Sequence, residues 1–449
     1  MSRYKTYPKY QDSGVGWIGP VPDGWNVSAF KWSITSCKNG IWGEDPDGKD
    51  DIECVRVADF DRATLSVNTE VPTLRAINQK ERAGRLLQSG DLLIEKSGGG
   101  ENQPVGQVVL YQRSKSAVCS NFIARIKLAK GMDSAFWNYV HHAAYLARVN
   151  TRSIKQTSGI QNLDQQQYFD ERAAFPSVKE QVAISSAIDH ECSRLDALIA
   201  KKAHFTELLR EKRRALITHA VTKGLDPNVP MKDSEQVWLG NIPFSWKCVA
   251  SNRLFLESQE RAHDNDEHLS ATQKYGVIPL AEFERLEGRR VTHAVKNLEQ
   301  RKHVDVDDFV ISMRSFEGGI ERVMASGCVR SSYVVLLRTK GTSVGFFAYL
   351  FKSSAYIQAL QATATFIRDG QDLSYNNFRQ VKIPCPPVDV QREITDFLDQ
   401  ATARLDSLVA KTERSIELLR ERRSAFITAA VTGQIDLREE ARTDATEAA

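Results

Sequence analysis

The residues that could do chemistry are few, and none stands in a spacing that a known chemistry needs. "GEDPDGKD", Gly43 to Asp50, has the outline of a phosphate-binding loop. It puts Asp50 where Ser or Thr should hold magnesium, and "IECVRV" follows as a strand instead of a helix, so it reads as a turn. "HDNDEH", His263 to His268, carries ligand-type side chains, but its histidine spacing fits no common zinc pattern. His141–His142 lies in a helical stretch without a matching cysteine or carboxylate set. The seven cysteines are scattered, with no C-x-x-C pair, which fits free thiols in a reducing compartment. There is no G-x-S-x-G, no H-E-x-x-H and no G-x-G-x-x-G after a strand. The expectation is a chain that catalyses nothing by itself and holds no metal.

Binding chemistry is better represented. "GDLLIEKSGGG", Gly90 to Gly100, and "DDFVISMRSFEGG", Asp307 to Gly319, each run as an apolar strand into a cation and a serine before a glycine-rich turn. The pairs are Lys96–Ser97 and Arg314–Ser315. Backbone N–H groups and a cation at a strand end suit a phosphate. A tight turn that needs glycine for its backbone angles is the alternative. Arg148, Arg152 and Lys155 follow in "ARVNTRSIKQTSGIQNL", and Arg368 in "TFIRDGQDL". Both stretches are polar and turn-rich, with Asn and Gln in the first and Gln in the second, side chains that can reach base edges. The basic runs "LREKRRA" and "LRERRSA" need no such partner, because positive charge late in a helix suits its dipole.

What must position these residues is visible as repetition. "PSVKEQVAISSAIDHECSRLDALIAKKAHFTELLREKRRALITHAVTKGLD", Pro176 to Asp226, aligns without a gap with Pro386 to Asp436 at a constant offset of 210 residues, Gln181 falling on Gln391. A shorter phrase also recurs, "WIGPVPDGW" from Trp17 and "WLGNIPFSW" from Trp238. The chain therefore reads A–B–A′–B′. Each B segment is a long helix with a seven-residue apolar grid: Ile188, Leu195, Leu209 and Leu216 in the first; Leu398, Leu405, Leu419 and Phe426 in the second. Leu198 and Phe205 are assigned to the companion positions of the first seam, and Leu408 to that of the second. Lys202 and Thr412 interrupt the grid. Ser177 with Glu180 forms a capping-box pattern at the first helix start, and Gly224 before Pro227 closes that helix.

The expected fold class is α+β: two α/β domains separated by two long antiparallel coiled-coil helices in a pseudo-twofold repeat. The boundaries are 1–175 for the first domain, 176–228 for the first helix, 229–385 for the second domain, 386–436 for the second helix and 437–449 for a polar tail. "IECVRVADF", "GQVVLYQ", "GVIPLAEF", "DDFVISMRS" and "YVVLLRT" read as strands, and "DSAFWNYVHHAAYLARV" and "VGFFAYLFKSSAYIQAL" as helices. No apolar run approaches a membrane span, and the net charge of +3 neither demands nor excludes nucleic acid.

These segments resemble the specificity subunit of type I restriction-modification systems. The resemblance rests on "DSGVGWIGPVPDGW", "VWLGNIPFSW", "GIQNLDQQQYF", "GQDLSYNNF" and the Pro-x-x-x-x-Gln approach to both helices, in A–B–A′–B′ order over nearly the whole chain. The second approach departs in one place, with Val390 where the first has Glu180. The resemblance implies two target-recognition domains, each reading one half of a bipartite asymmetric site in double-stranded DNA. It implies docking of two methyltransferase subunits and of nuclease–translocase subunits, in the cytoplasm. S-adenosylmethionine, ATP and magnesium would belong to those partners, leaving this chain without a cofactor. Two other classes fit fewer features: a stand-alone bivalent DNA-binding regulator, and a coiled-coil protein scaffold.

Overall fold

The computed structural model describes residues 4–49, 51–288, 290, 300–312, 315, 319–363 and 373–438. It divides into two units: the first is made of two separate stretches, 1–201 and 415–449, and the second of one continuous stretch, 202–414. Two long helices run through both, a proximal one at Val178–Lys223 and a distal one at Val388–Val431. Each unit thus holds one end of each helix.

In the first unit nine strands build the two sheets that matter for function: β1 (Ile34–Asn39), β2 (Phe60–Asp61), β3 (Ser66–Val67), β4 (Leu92–Glu95), β5 (Ser97–Gly98), β6 (Val108–Leu110), β7 (Ile123–Leu128), β8 (Ile154–Ser158) and β9 (Ile160–Leu163). Six form one sheet in the order β1-β7-β4-β6-β3-β2, and the other three form β5-β9-β8. Leu92, Ile94, Ala124 and Ile126 from the large sheet are fully buried in a core with Phe136 and Trp137 of the helix Ser134–Leu146. The second unit contributes β10 (Phe255–Ser258), β11 (Lys302–Val304), β12 (Phe309–Ile311), β13 (Glu321–Arg322), β14 (Gly327–Val329) and β15 (Val334–Arg338). Its main sheet runs β10-β15-β12-β13.

Two local expectations change. "GVIPLAEF" is half strand, Gly276–Pro279, and half helix, Leu280–Glu287. Pro279 fixes the backbone angle at the junction, and helix-forming Leu, Ala and Glu follow. "VGFFAYLFKSSAYIQAL" is two helices, because Ser353 turns the chain and its hydroxyl caps Tyr356.

The helix seam follows the expected grid but not the expected companions. Ile188, Leu195, Leu209, Leu398, Leu405 and Phe426 are buried, and Leu216 and Leu419 half-buried. Leu198, Phe205 and Leu408 are not in the seam; they are 39%, 46% and 45% exposed. The companions lie four residues after each grid position, not three: Cys192, Thr206 and Ala220 on the proximal helix, Thr402, Ile416 and Ala430 on the distal one. Apolarity singled out the leucines, while the packed positions are partly polar. Arg213 and Arg423 occupy equivalent companion positions and make the same ion pair. Arg213 Nε lies 2.9 Å from Asp406 in the second unit, and Arg423 Nε 3.1 Å from Asp196 in the first. With Arg210 bonded to Glu413, these contacts show the helix segments of the second unit running antiparallel.

Both helix starts are held by one glutamine. Gln181 donates to the Pro176 carbonyl at 3.0 Å and accepts from Asp133 N at 3.1 Å. Gln391 donates to the Pro386 carbonyl at 2.8 Å and accepts from Ser343 N at 2.7 Å. Each amide therefore ties the long helix to the N-terminal end of a domain helix. The capping box is only half formed: Ser177 Oγ accepts from Glu180 N, whereas the Glu180 carboxylate accepts from Tyr7 Oη.

The helix ends are held by the tryptophan phrase. Trp25 and Trp246 are buried. Gly433, at φ 74°, lies so close to the phrase that a Cβ would come 2.3 Å from Pro22 Cδ and 3.1 Å from Trp25. In the second unit Lys223 donates to the carbonyls of Leu239 and Asn241.

Gln391→Ala and Gln181→Ala are expected to cost about 1–3 kcal/mol each, because truncation leaves a buried carbonyl and a backbone N–H unpaired. Equilibrium urea denaturation of each variant against wild type checks this; an unchanged midpoint for both contradicts the clamp.

Candidate nucleic-acid interface

The small sheet of the first unit brings two of the expected residues into one row. Ser97 on β5 pairs with Asn162 on β9, which pairs with Lys155 on β8. Ser97 Oγ donates to Asn162 Oδ1 at 2.7 Å. Lys155 and Asn162 are exposed, while Leu163 and Gln161 turn inward. The period of two thus gives the hairpin β8–β9 one polar outer face. Gly159 at its tip has φ 75°, a left-handed backbone that glycine adopts without strain, and Ile160 beside it is half exposed.

The remaining cations are placed around the hairpin with less order. Arg152 ends the short helix leading into β8 and is highly exposed, 3.9 Å from Glu171. Arg148 starts that helix in a left-handed conformation and is also exposed. Lys155 Nζ lies 2.6 Å from Asp164, and this hydrogen bond holds the Asp164 carboxyl below its ordinary range. Lys96 sits on the other side of the strand from Ser97, near Cys37. Burial pushes the Cys37 thiol up to about 12, against the pull of the Lys96 charge.

A cleft of about 470 Å³ opens beside β5. Its lining includes Trp42, Arg56, Ser97, Gly98, Asn121 and Phe122. Both aromatics are partly exposed, and Arg75 stacks on Trp42 with its guanidinium carbon 4.5 Å from the ring centre. Gly98 and Gly99 have φ of 121° and 64°, and a Cβ at Gly99 would come 2.7 Å from Val105 N. The glycine turn is therefore required by the backbone, and it also opens the cleft. Nothing in the sequence marked Trp42, Arg56, Asn121 or Phe122, which come from three separate segments. Asn162 lay within a stretch singled out for its amides.

In the second unit the matched turn is corrected. The hydrogen bonds Tyr111 N to Asp91 O and Val323 N to Asp308 O are equivalent, and they align β4 with β12 at an offset of 217. Ser315 is fully buried, and its hydroxyl accepts from Ser312 N, so it closes a turn and does not reach a ligand. Arg314 and Arg368 lie outside the described residues.

The "GEDPDGKD" loop is a turn, as its sequence suggests. Gly48 N bonds to Asp51 Oδ2 in an exposed turn before the strand Asp51–Val55. His141 is buried, stacks on Phe30 and bonds to Tyr168 Oη at 2.9 Å; burial lowers its pKa to about 3.

No family model matches the chain. It is 22% identical over 437 residues to the putative type I restriction enzyme MjaX specificity subunit of Methanocaldococcus jannaschii, covering 93% of this chain and 95% of that one. It is 29% identical over 150 residues, 31% of this chain and 32% of the other, to the EcoKI specificity subunit of Escherichia coli. Its fold matches the HsdS subunit of Thermoanaerobacter tengcongensis at a TM-score of 0.53, with 14% identity over 92% of this chain and 98% of that one. A chain solved in work on assembly and conformational transition of the type I R-M system matches at 0.68, with 13% identity over the same shares. The resemblance to type I specificity subunits holds. It extends over both units and both long helices, and the solved specificity subunit shares the α+β architecture. Among the described residues no helix is long and apolar enough to cross a membrane.

If the hairpin face meets phosphates and base edges, Lys155→Ala should weaken DNA binding several-fold and flatten its salt dependence. Asn162→Ala should lose discrimination between sites more than affinity. Fluorescence anisotropy at several salt concentrations reads both, and unchanged titrations for both variants contradict the assignment.

Proposed function

We propose that this chain is the non-catalytic DNA-recognition subunit of a type I restriction-modification complex, reading a bipartite asymmetric site with one unit per half. The observation that carries the reading is a contrast between two kinds of repetition. The long helices match at a constant offset of 210, down to the Arg213–Asp406 and Arg423–Asp196 ion pairs, while the domain interiors diverge. Two copies of one partner need two like docking surfaces, and two different half-sites need two different readers.

The exposed leucines supply those surfaces. Leu198 and Leu408 are equivalent, as are Leu208 and Leu418, and all four stand out of the seam at 39–49% exposure. An apolar side chain repeated at one exposed helix position suits a partner helix. We assign these positions to two methyltransferase subunits. Nuclease–translocase subunits join that core, and the partners bring S-adenosylmethionine, ATP and magnesium to cytoplasmic DNA.

At the DNA, the hairpin β8–β9 is a two-stranded ribbon of the width that the major groove admits. Lys155 and Arg152 would exchange Asp164 and Glu171 for phosphates, Asn162 would face a base edge, and Ile160 could meet a thymine methyl. In the second unit we assign the phosphate-binding task to Arg314 and Arg368.

Co-purification with the methyltransferase subunit tests the assembly. Leu198→Asp or Leu408→Asp should each reduce the bound methyltransferase from two copies to one, and the double variant to none. Stability should hold, because these side chains are exposed. Two copies retained by the double variant would overturn the docking assignment. DNA binding by a chain that recruits no methyltransferase would support a stand-alone regulator instead.

A further inference from the structure

Outside the nucleic-acid face, the second unit gathers an imidazole–carboxylate cluster that the sequence reading set aside. Glu260, His263 and His303 each present a ligand-type atom, all within 4.8 Å of one another. His263 and His303 are forty residues apart, so no local spacing could reveal them. The backbone brings them together: His303 N donates to the Glu260 carbonyl at 3.1 Å and Ala262 N to the Arg301 carbonyl at 3.0 Å. That clamp ties the segment after β10 to β11.

We propose that Glu260, His263 and His303 form a binding site for one transition-metal ion of the zinc class. Zinc takes imidazole nitrogen at about 2.0–2.1 Å and carboxylate oxygen at about 2.0–2.2 Å, and two histidines with one carboxylate are a sufficient protein set. Asp266 acts as the orienting carboxylate. Its Oδ2 lies 2.8 Å from His303 Nδ1, which leaves Nε2 as the ligand atom. His303 and Asp266 are mostly buried and fixed, whereas Glu260 and His263 are exposed and adjustable.

The rings of His263 and His303 stack at 4.2 Å between centroids with 25° between planes, and His263 Nε2 lies 3.1 Å from Glu260 Oε1. In that arrangement Glu260 engages His263 Nε2. Coordination therefore requires His263 to rotate out of the stack and Glu260 to close in, movements of two exposed side chains over a fixed third ligand. Asp305, 3.5 Å from His303 Nε2, can complete the charge balance. Cys328 is the cross-strand partner of His303, but its thiol points toward the Asp266 carbonyl and is not among the ligands. Burial opposes a charge on His303, yet Asp266 outweighs it and raises the imidazole's basicity.

The test uses the full chain, stripped with a chelator and titrated with Zn2+ or Co2+ by calorimetry and absorbance. Wild type should bind one equivalent with a cobalt spectrum free of a thiolate charge-transfer band. His263→Ala and Glu260→Gln, both at exposed positions and expected to fold normally, should abolish or strongly weaken it. Asp266→Asn should weaken it about tenfold. Absence of binding by wild type overturns the proposal, as does unaltered binding in the His263 and Glu260 variants or a dominant thiolate band.

Discussion

The seam between the two long helices is the constraint on which everything else depends. Each unit is built on opposite ends of the same two helices, so neither has a complete core without both. In the first unit Ile184, Ile188 and Cys192 of the proximal helix share a core with Phe426, Ile427 and Val431 of the distal one. In the second, Ile217 and Val221 share a core with Ile394 and Leu398. A seam laced with Thr, Cys and an arginine ion pair forgoes some apolar burial, of the order of 1–3 kcal/mol for each large side chain it omits. In return the repeated Arg–Asp pairs discriminate against a shifted register, since a slip would leave a half-buried guanidinium without its carboxylate.

The domains are fastened to that seam by the same two devices in each unit. A buried glutamine holds the start of one helix to the first turn of a domain helix. A tryptophan phrase closes over the end of the other. The second device explains why the phrase stands at the beginning of each domain: the first copy packs on the end of the distal helix, which arrives from the other end of the chain, and the second on the end of the proximal helix just before it. Gly433 cannot carry a side chain because the phrase occupies that space. A repeat in sequence thus becomes a repeat in construction, and the differences are left to the surfaces of the domains.

Much of this was legible in the residues, for identifiable reasons. The helix grid and the two-copy organisation follow from period and repetition, which survive without tertiary information. The companion seam positions did not, because Leu198 and Leu408 outweigh Cys192, Thr206 and Thr402 on any apolar scale, and only packing reveals that the leucines face outward. The expectation for Ser315 failed for a similar reason: a shared cation–serine pair looked like a match, whereas its hydroxyl is buried and accepts from Ser312 N. The aromatic cleft and the Glu260–His263–His303 cluster join residues distant in sequence, and no local pattern foretells them.

The account's central claim is that one chain gives two different readers to one methylating complex. It is tested most directly by mapping methylated adenine across the host genome with and without this gene. The account predicts that a single split motif, two unlike half-sites at a fixed gap, loses its methylation on deletion and regains it on complementation. A methylation map unchanged by deletion, in a host that expresses the methyltransferase partner, would contradict it.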